Sequence, residues 1–207
     1  MQQDERKTHW ERVYHDKSPL EVSWYQSAPT LSWELIRAGG IGTDAPLIDV
    51  GGGASTLVDH LLEQGYSAVT VLDISAQALA HAQRRLGARA RQVRWIESDI
   101  TRFEPPQRYR LWHDRAVFHF LTDAGDRARY LAALDRGLEA DGQLIIGTFA
   151  PGGPERCSGL PIVQYDAARM QAELGDGYAL QETRAENHRT PAGKDQLFNF
   201  FRWVRLG

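Results

Sequence analysis

From Leu47 onward the chain alternates short aliphatic and β-branched runs with stretches whose apolar positions recur every three or four residues. That alternation predicts parallel strands joined by helices that cover both faces of a sheet. Leu47, Ile48, Asp49 and Val50 read as a buried strand running into Gly51, Gly52 and Gly53. Leu57, Leu61 and Leu62 follow at helical spacing until Gly65 and Tyr66 stop the helix. Residues 69–73 form a second strand, and Ala78, Leu79, Ala82 and Leu86 line a second helix ended by Gly87. A third strand spans 93–96 and a fourth 109–113; a helix from about Asp126 then carries Tyr130, Leu131, Leu134 and Leu138 on one face. Asp141 and Gly142 turn the chain into a strand over 144–147. The tail differs, because 178–186 and 197–204 are both strand-like with only a short connection around Thr190–Gly193, and strands so joined pair antiparallel. The expectation is an α/β protein with a mostly parallel open sheet whose last strand is reversed.

Residues 1–44 are rich in aromatics: Trp10, Tyr14, Trp24, Tyr25 and Trp33. Trp10, Val13 and Tyr14, like Leu31, Leu35 and Ile36, stand at helical spacing and predict two packed helices. Trp24 and Tyr25 fall in the loop between them. No repeat or linker breaks the chain, so 1–207 reads as one domain with an aromatic helical cover (1–44), a core (45–150), and a lid loop with C-terminal antiparallel strands (151–207). With 24 Lys+Arg against 27 Asp+Glu the net charge is -3, which argues against a nucleic-acid binder working by phosphate neutralisation. No apolar run approaches the roughly 20 residues of a membrane-spanning helix. The charged N-terminus has no apolar core to make a secretory signal, so the cytoplasm is the expected compartment. Cys157 is the single cysteine, which excludes an intrachain disulfide and a Cys-rich zinc site. No metal site is expected, since no histidine pair has ligand spacing.

In a doubly wound sheet, ligands bind beyond the carboxyl ends of the strands. Four of those ends carry acids: Asp49, Asp73, Asp99 and Asp114. Any one alone could be a helix cap or turn residue. The glycine loop selects the ligand. A dinucleotide fingerprint needs a third glycine where Thr56 stands, and no Gly-Lys-Ser/Thr follows to make a P-loop. Asp49, two residues before the first glycine, would repel a pyrophosphate and attract a cationic group. Asp73, 20 residues after Gly53, is placed to accept from both ribose hydroxyls. Asp99 can accept from an adenine amino group while Ile74 and Ile100 sandwich the ring. These features ask for a ligand with adenosine at one end and positive charge at the other.

That combination resembles the Rossmann-like S-adenosylmethionine-dependent methyltransferases. Asp49 to Ser55 is similar to their first motif, Asp73-Ile74-Ser75 to the second, Ser98-Asp99-Ile100 to the third and His113-Asp114-Arg115 to the fourth. The resemblance implies a doubly wound seven-stranded sheet of order 3-2-1-4-5-7-6 with the last strand antiparallel. It implies S-adenosyl-L-methionine as cofactor, held by Trp24, Asp49, Gly51, Gly52, Gly53, Asp73, Ile74, Asp99 and Ile100. Tyr25 and Arg115 are expected on the acceptor and Asp114 and His119 in the catalytic set; His119 is the candidate base because it stands just past the fourth strand, near the expected sulfonium, and an imidazole takes a proton near neutral pH, the alternative being that Phe118 to Leu121 packs beneath the lid. The segment from Asp114 to Val117 lacks the Pro-Pro-aromatic signature of DNA amino-methylating enzymes, and Cys157 follows an arginine rather than a proline, so base methylation is not expected. The layout from Trp112 to Pro161 resembles small thiol and thiopurine methyltransferases and points to a small-molecule acceptor. Trp10 to Tyr14 and Glu21 to Tyr25 are similar to elongation-factor lysine methyltransferases, which keeps a protein lysine open. A non-catalytic partner subunit that keeps the nucleotide pocket is the reading from another class.

Overall fold

The computed structural model describes residues 3–207. Strands β1 (Leu47–Val50), β2 (Val69–Asp73), β3 (Val93–Glu97), β4 (Tyr109–Arg115), β5 (Leu138–Phe149), β6 (Tyr178–Arg189) and β7 (Asp195–Arg205) form one sheet. Their order is β3-β2-β1-β4-β5-β7-β6. β1 to β5 run parallel, β7 is antiparallel to β5, and β6 pairs antiparallel with β7. The expected order and the reversed last strand are therefore realised.

Strand pleating divides the apolar residues between two layers. Leu47, Val71, Leu111, Ile145 and Phe200 face α2 (Thr30–Ala38), α3 (Leu57–Glu63) and α4 (Ala76–Leu86). Ile48, Leu72, Trp112, Ile146 and Trp203 face α5 (Ala124–Gly137) and α6 (Ala167–Leu174). Both faces are covered, which is why β1 is buried at all four positions. Each fully buried Leu, Ile or Val contributes about 1.5–3 kcal/mol relative to exposure. The helices begin where side chains replace missing backbone partners: Ser75, Asp123 and Asp166 each accept the N–H three residues on, starting α4, α5 and α6. α1 (Gln3–Asp16) lies across the carboxyl ends of the strands, and its Glu11 carboxylate accepts the N–H groups of Ala76 (2.7 Å) and Gln77 (3.3 Å) at the start of α4.

Two differences from the sequence reading concern boundaries. β5 starts at Leu138 rather than 144, continuing past Asp141, which sits at φ 57, through a register irregularity against β4. The segment after β5, expected as a lid loop, contains a two-stranded ribbon (Arg156–Cys157 with Leu160–Pro161) and then α6. α6 escapes periodicity because it is short and buries only Met170 fully.

Candidate active site

The carboxyl ends of β1, β2 and β3 open onto one another. Gly51 takes φ 68, and the N–H groups of Gly51 and Gly52 both donate to the Leu72 carbonyl, at 2.7 and 3.2 Å. The loop is thereby drawn against the acids: a Cβ on Gly52 would overlap the Asp49 carboxylate. One on Gly53 would overlap Asp73 and lie 2.8 Å from the Ala78 Cβ. At Gly51 it would strike the Val117 side chain.

Asp49 is buried, and only one of its oxygens is satisfied. Asp49 stands opposite His113 in the parallel β1–β4 register, so both side chains project from the same face. His113 Nδ1 donates to Asp49 Oδ1 at 2.7 Å, and with that tautomer His113 Nε2 accepts from the Ser32 hydroxyl at 2.9 Å. Ser32 is buried between α2 and the sheet and lines neither cavity, so this row orients Asp49 and is no nucleophilic triad. Asp49 Oδ2 has no hydrogen-bond partner. A buried carboxylate oxygen in that state is an acceptor built for something else.

Asp73 Oδ1 accepts the Ser75 N–H at 2.8 Å. Burial pushes its carboxyl up to about 7; the Ser75 N–H opposes the rise, and the neighbouring carboxylates of Asp49 and Glu11 add to it. Asp99 Oδ1 accepts the Thr101 N–H (2.9 Å) and hydroxyl (2.8 Å), while Oδ2 faces Arg6 Nη2 at 3.3 Å. Arg6 also reaches Asp126 at 3.0 Å, which anchors α1 over this end.

A cavity of roughly 870 Å³, partly open to solvent, joins these groups. Asp73, Ile74, Asp99 and Ile100 line one end; Arg115, Phe120, Phe149, Cys157 and Phe198 line the other; Trp10, Tyr14 and Trp24 roof it. A second pocket of roughly 500 Å³ holds Asp49, Gly51, Gly52 and His113, and Tyr14, Trp24, Gly51 and Arg115 border both. The structure thus gathers Trp24, Asp49, Gly51, Gly52, Asp73, Ile74, Asp99, Ile100 and Arg115. Gly53 lines neither space and serves by letting Asp73 approach. Tyr25 borders the smaller pocket and an outer groove, away from the large cavity.

Two expected catalytic residues do not fit that part. Asp114 follows His113 in β4, so the pleat sends it to the opposite face. There its carboxylate accepts the N–H groups of Val117 (2.9 Å) and Phe118 (3.2 Å) and the Tyr130 hydroxyl (2.7 Å), shaping the turn after β4. Burial raises its carboxyl to about 6 against these hydrogen bonds. His119 is fully buried between Phe120 and Phe149. Burial and the Arg115 charge lower it to about 3, and its Nδ1 accepts the Phe149 N–H at 3.3 Å. The neutral ring then carries its proton on Nε2 and has no free lone pair, so His119 is not placed to act as a base.

Arg6, Trp10, Phe149, Cys157 and Phe198 were not among the expected site residues. Arg6, Trp10 and Tyr14 recur every four residues along α1, a signal the sequence carried. Phe149 and Phe198 are register partners across the antiparallel β5–β7 pair, a juxtaposition only the topology creates.

Residues 48–144 match the family described as a methyltransferase domain. No curated protein sequence matches the chain. Among solved structures, the 1,6-didemethyltoxoflavin-N1-methyltransferase of Burkholderia thailandensis, determined with 1,6-didemethyltoxoflavin and S-adenosylhomocysteine, is 18% identical, with 97% of this chain and 87% of that one covered and a TM-score of 0.72. An S-adenosylmethionine-dependent methyltransferase from Mesorhizobium loti is 17% identical over 84% of this chain and 97% of that one, with a TM-score of 0.66. A protein solved in work on conversion of a disulfide bond into a thioacetal group during echinomycin biosynthesis is 19% identical over 97% and 92% of the two chains, with a TM-score of 0.77. At these identities the likeness is one of fold.

Proposed function

We propose that the protein, whose residues 48–144 match the methyltransferase domain family, binds S-adenosylmethionine and methylates a small-molecule acceptor. When bound, the cofactor supplies an electrophilic methyl group on a sulfonium. The observation that carries the reading is the orphaned, buried Oδ2 of Asp49 beside the glycine loop, next to a cavity that also holds Asp73 and Asp99. Asp49 offers a carboxylate to the ammonium of the methionine end, with Ser32 and His113 fixing its orientation. Asp73 accepts from ribose hydroxyls, and Asp99, with Ile74 and Ile100, holds adenine beside Arg6. Trp24 closes the space between the two pockets, donating from Nε1 to the Tyr14 hydroxyl at 3.3 Å. Positioning and water exclusion are then the chain's main contributions to rate.

The acceptor end supports a small molecule over a protein lysine. Aromatic side chains enclose it beneath α1, and the acids among the described residues lining the large cavity, Asp73 and Asp99, both stand at the far end. The charged side chain lining that end is Arg115, and the Glu186 carboxylate near it lines neither cavity, so an incoming ammonium would meet a cation first. Calorimetry tests the cofactor assignment: S-adenosylhomocysteine should bind and raise the melting temperature, and NAD should do neither. Binding of NAD without S-adenosylhomocysteine would overturn it.

A further inference from the structure

Arg115 ends β4 with a side chain only 12% exposed. Its Nη1 donates to the Trp24 carbonyl at 2.8 Å, but Nε and Nη2 have no hydrogen-bond partner. Those two nitrogens form one edge of the guanidinium, the edge that grips an anionic group with two parallel N–H donors. Glu186 does not fill it. Its Oε2 stays 3.9 Å from Nη2 and itself lacks a hydrogen bond, while its Oε1 is taken by Gln26 at 3.0 Å. Phe198 lies under the guanidinium at 4.9 Å and fixes its plane. Burial lowers Arg115 only to about 10, so it stays charged near neutrality. Leaving charged donors dry and without a hydrogen bond is costly unless a ligand completes them.

The other described residues lining this end are apolar or neutral: Trp24, Phe120, Phe149 and the Cys157 thiol, which burial raises to about 11; the Glu186 carboxylate beside Arg115 lines neither cavity. Among the described residues no base stands ready in the cavity, since Asp114 and His119 are both committed to backbone N–H groups and Glu186 lines neither pocket. An acceptor that arrives deprotonated asks none of the chain. We propose that the methyl acceptor is a small apolar molecule that enters as an anion and seats its negative oxygen or sulfur group on the free edge of Arg115. The proposal rests on the methyltransferase reading above and adds the acceptor's class to it.

The test is calorimetric titration of the S-adenosylhomocysteine-loaded protein with benzoate, 4-nitrophenolate, thiophenolate, benzyl alcohol and benzylamine. The three anions should bind, benzyl alcohol at least about tenfold more weakly, and benzylamine not at all. Arg115→Gln should weaken benzoate by about tenfold or more, with Arg115→Lys recovering part, and Glu186→Gln, which removes the competing carboxylate, should tighten it even if the arginine variants fold poorly. Equal binding of alcohol and anion, preference for the amine, or unchanged benzoate affinity in both Arg115→Gln and Glu186→Gln would overturn the proposal. So would a loss of S-adenosylhomocysteine affinity in Arg115→Gln with benzoate unaffected, since the free edge would then serve the cofactor's own carboxylate. If the wild-type protein does not bind S-adenosylhomocysteine, the methyltransferase reading fails; if it does and the anions do not bind, only the acceptor class fails.

Discussion

Replacing Asp73 by asparagine should stabilise the ligand-free protein while removing its grip on the cofactor. Burial holds the Asp73 carboxyl at about 7, against an ordinary value of 3.8. The folded chain therefore takes up a proton that the unfolded chain releases between those two values. That contribution to stability is intact below about pH 4 and is lost as pH rises through 7. Three units at about 1.4 kcal/mol each put the penalty at up to about 4 kcal/mol at pH 8. Asparagine keeps an oxygen for the Ser75 N–H and carries no charge, so Asp73→Asn should recover much of that penalty. At about 2–4 °C per kcal/mol for a chain of this size, melting should rise by roughly 10 °C at pH 8. The gain should shrink toward pH 5 and vanish near pH 4. Ribose hydroxyls favour the ionised carboxylate, so wild-type affinity for S-adenosylhomocysteine should fall as pH drops through 7. In Asp73→Asn it should be flat and about 10–150-fold weaker, the range of a lost hydrogen bond to a charged group. Urea denaturation and calorimetry across pH 4–8 read both quantities. A variant no more stable than wild type at pH 8 would refute the burial argument, and unchanged affinity would remove Asp73 from the site.

Gly53→Ala should weaken S-adenosylhomocysteine by tenfold or more and destabilise by about 1–3 kcal/mol, because the added methyl group displaces the Asp73 carboxylate and presses on Ala78; titration and denaturation measure the two. His113→Phe keeps a ring but strips Asp49 of its one hydrogen bond, so cofactor affinity should fall about tenfold, and a variant binding like wild type would show that Asp49 needs no such support. Tyr130→Phe should cost about 1–3 kcal/mol in urea by leaving Asp114 short of a donor. Its S-adenosylhomocysteine affinity should not move, since Asp114 shapes a turn and lines neither cavity.

Periodicity along the chain sufficed for the parallel strands and the helices between them, because each depends on which neighbouring residues share a face, and the short connection around Thr190–Gly193 sufficed for the reversed last strand. That the glycine loop and the acids at Asp49, Asp73 and Asp99 gather around adjoining pockets was equally legible, because the carboxyl ends of parallel strands open to one side of the sheet and the residues after each strand can be counted. What tertiary structure decided was the fate of side chains at those ends. His113 and Asp114 are adjacent in sequence, yet one strand pleat sends the first to Asp49 and the second to Tyr130. His119 looks like a base by composition, but burial and one backbone N–H remove its lone pair from use. The aromatic end of the cavity combines Trp24 from the N-terminal segment, Arg115 from β4, Cys157 from the ribbon and Phe198 from β7. Residues so far apart meet only through packing and the antiparallel register, and no local pattern encodes such a meeting.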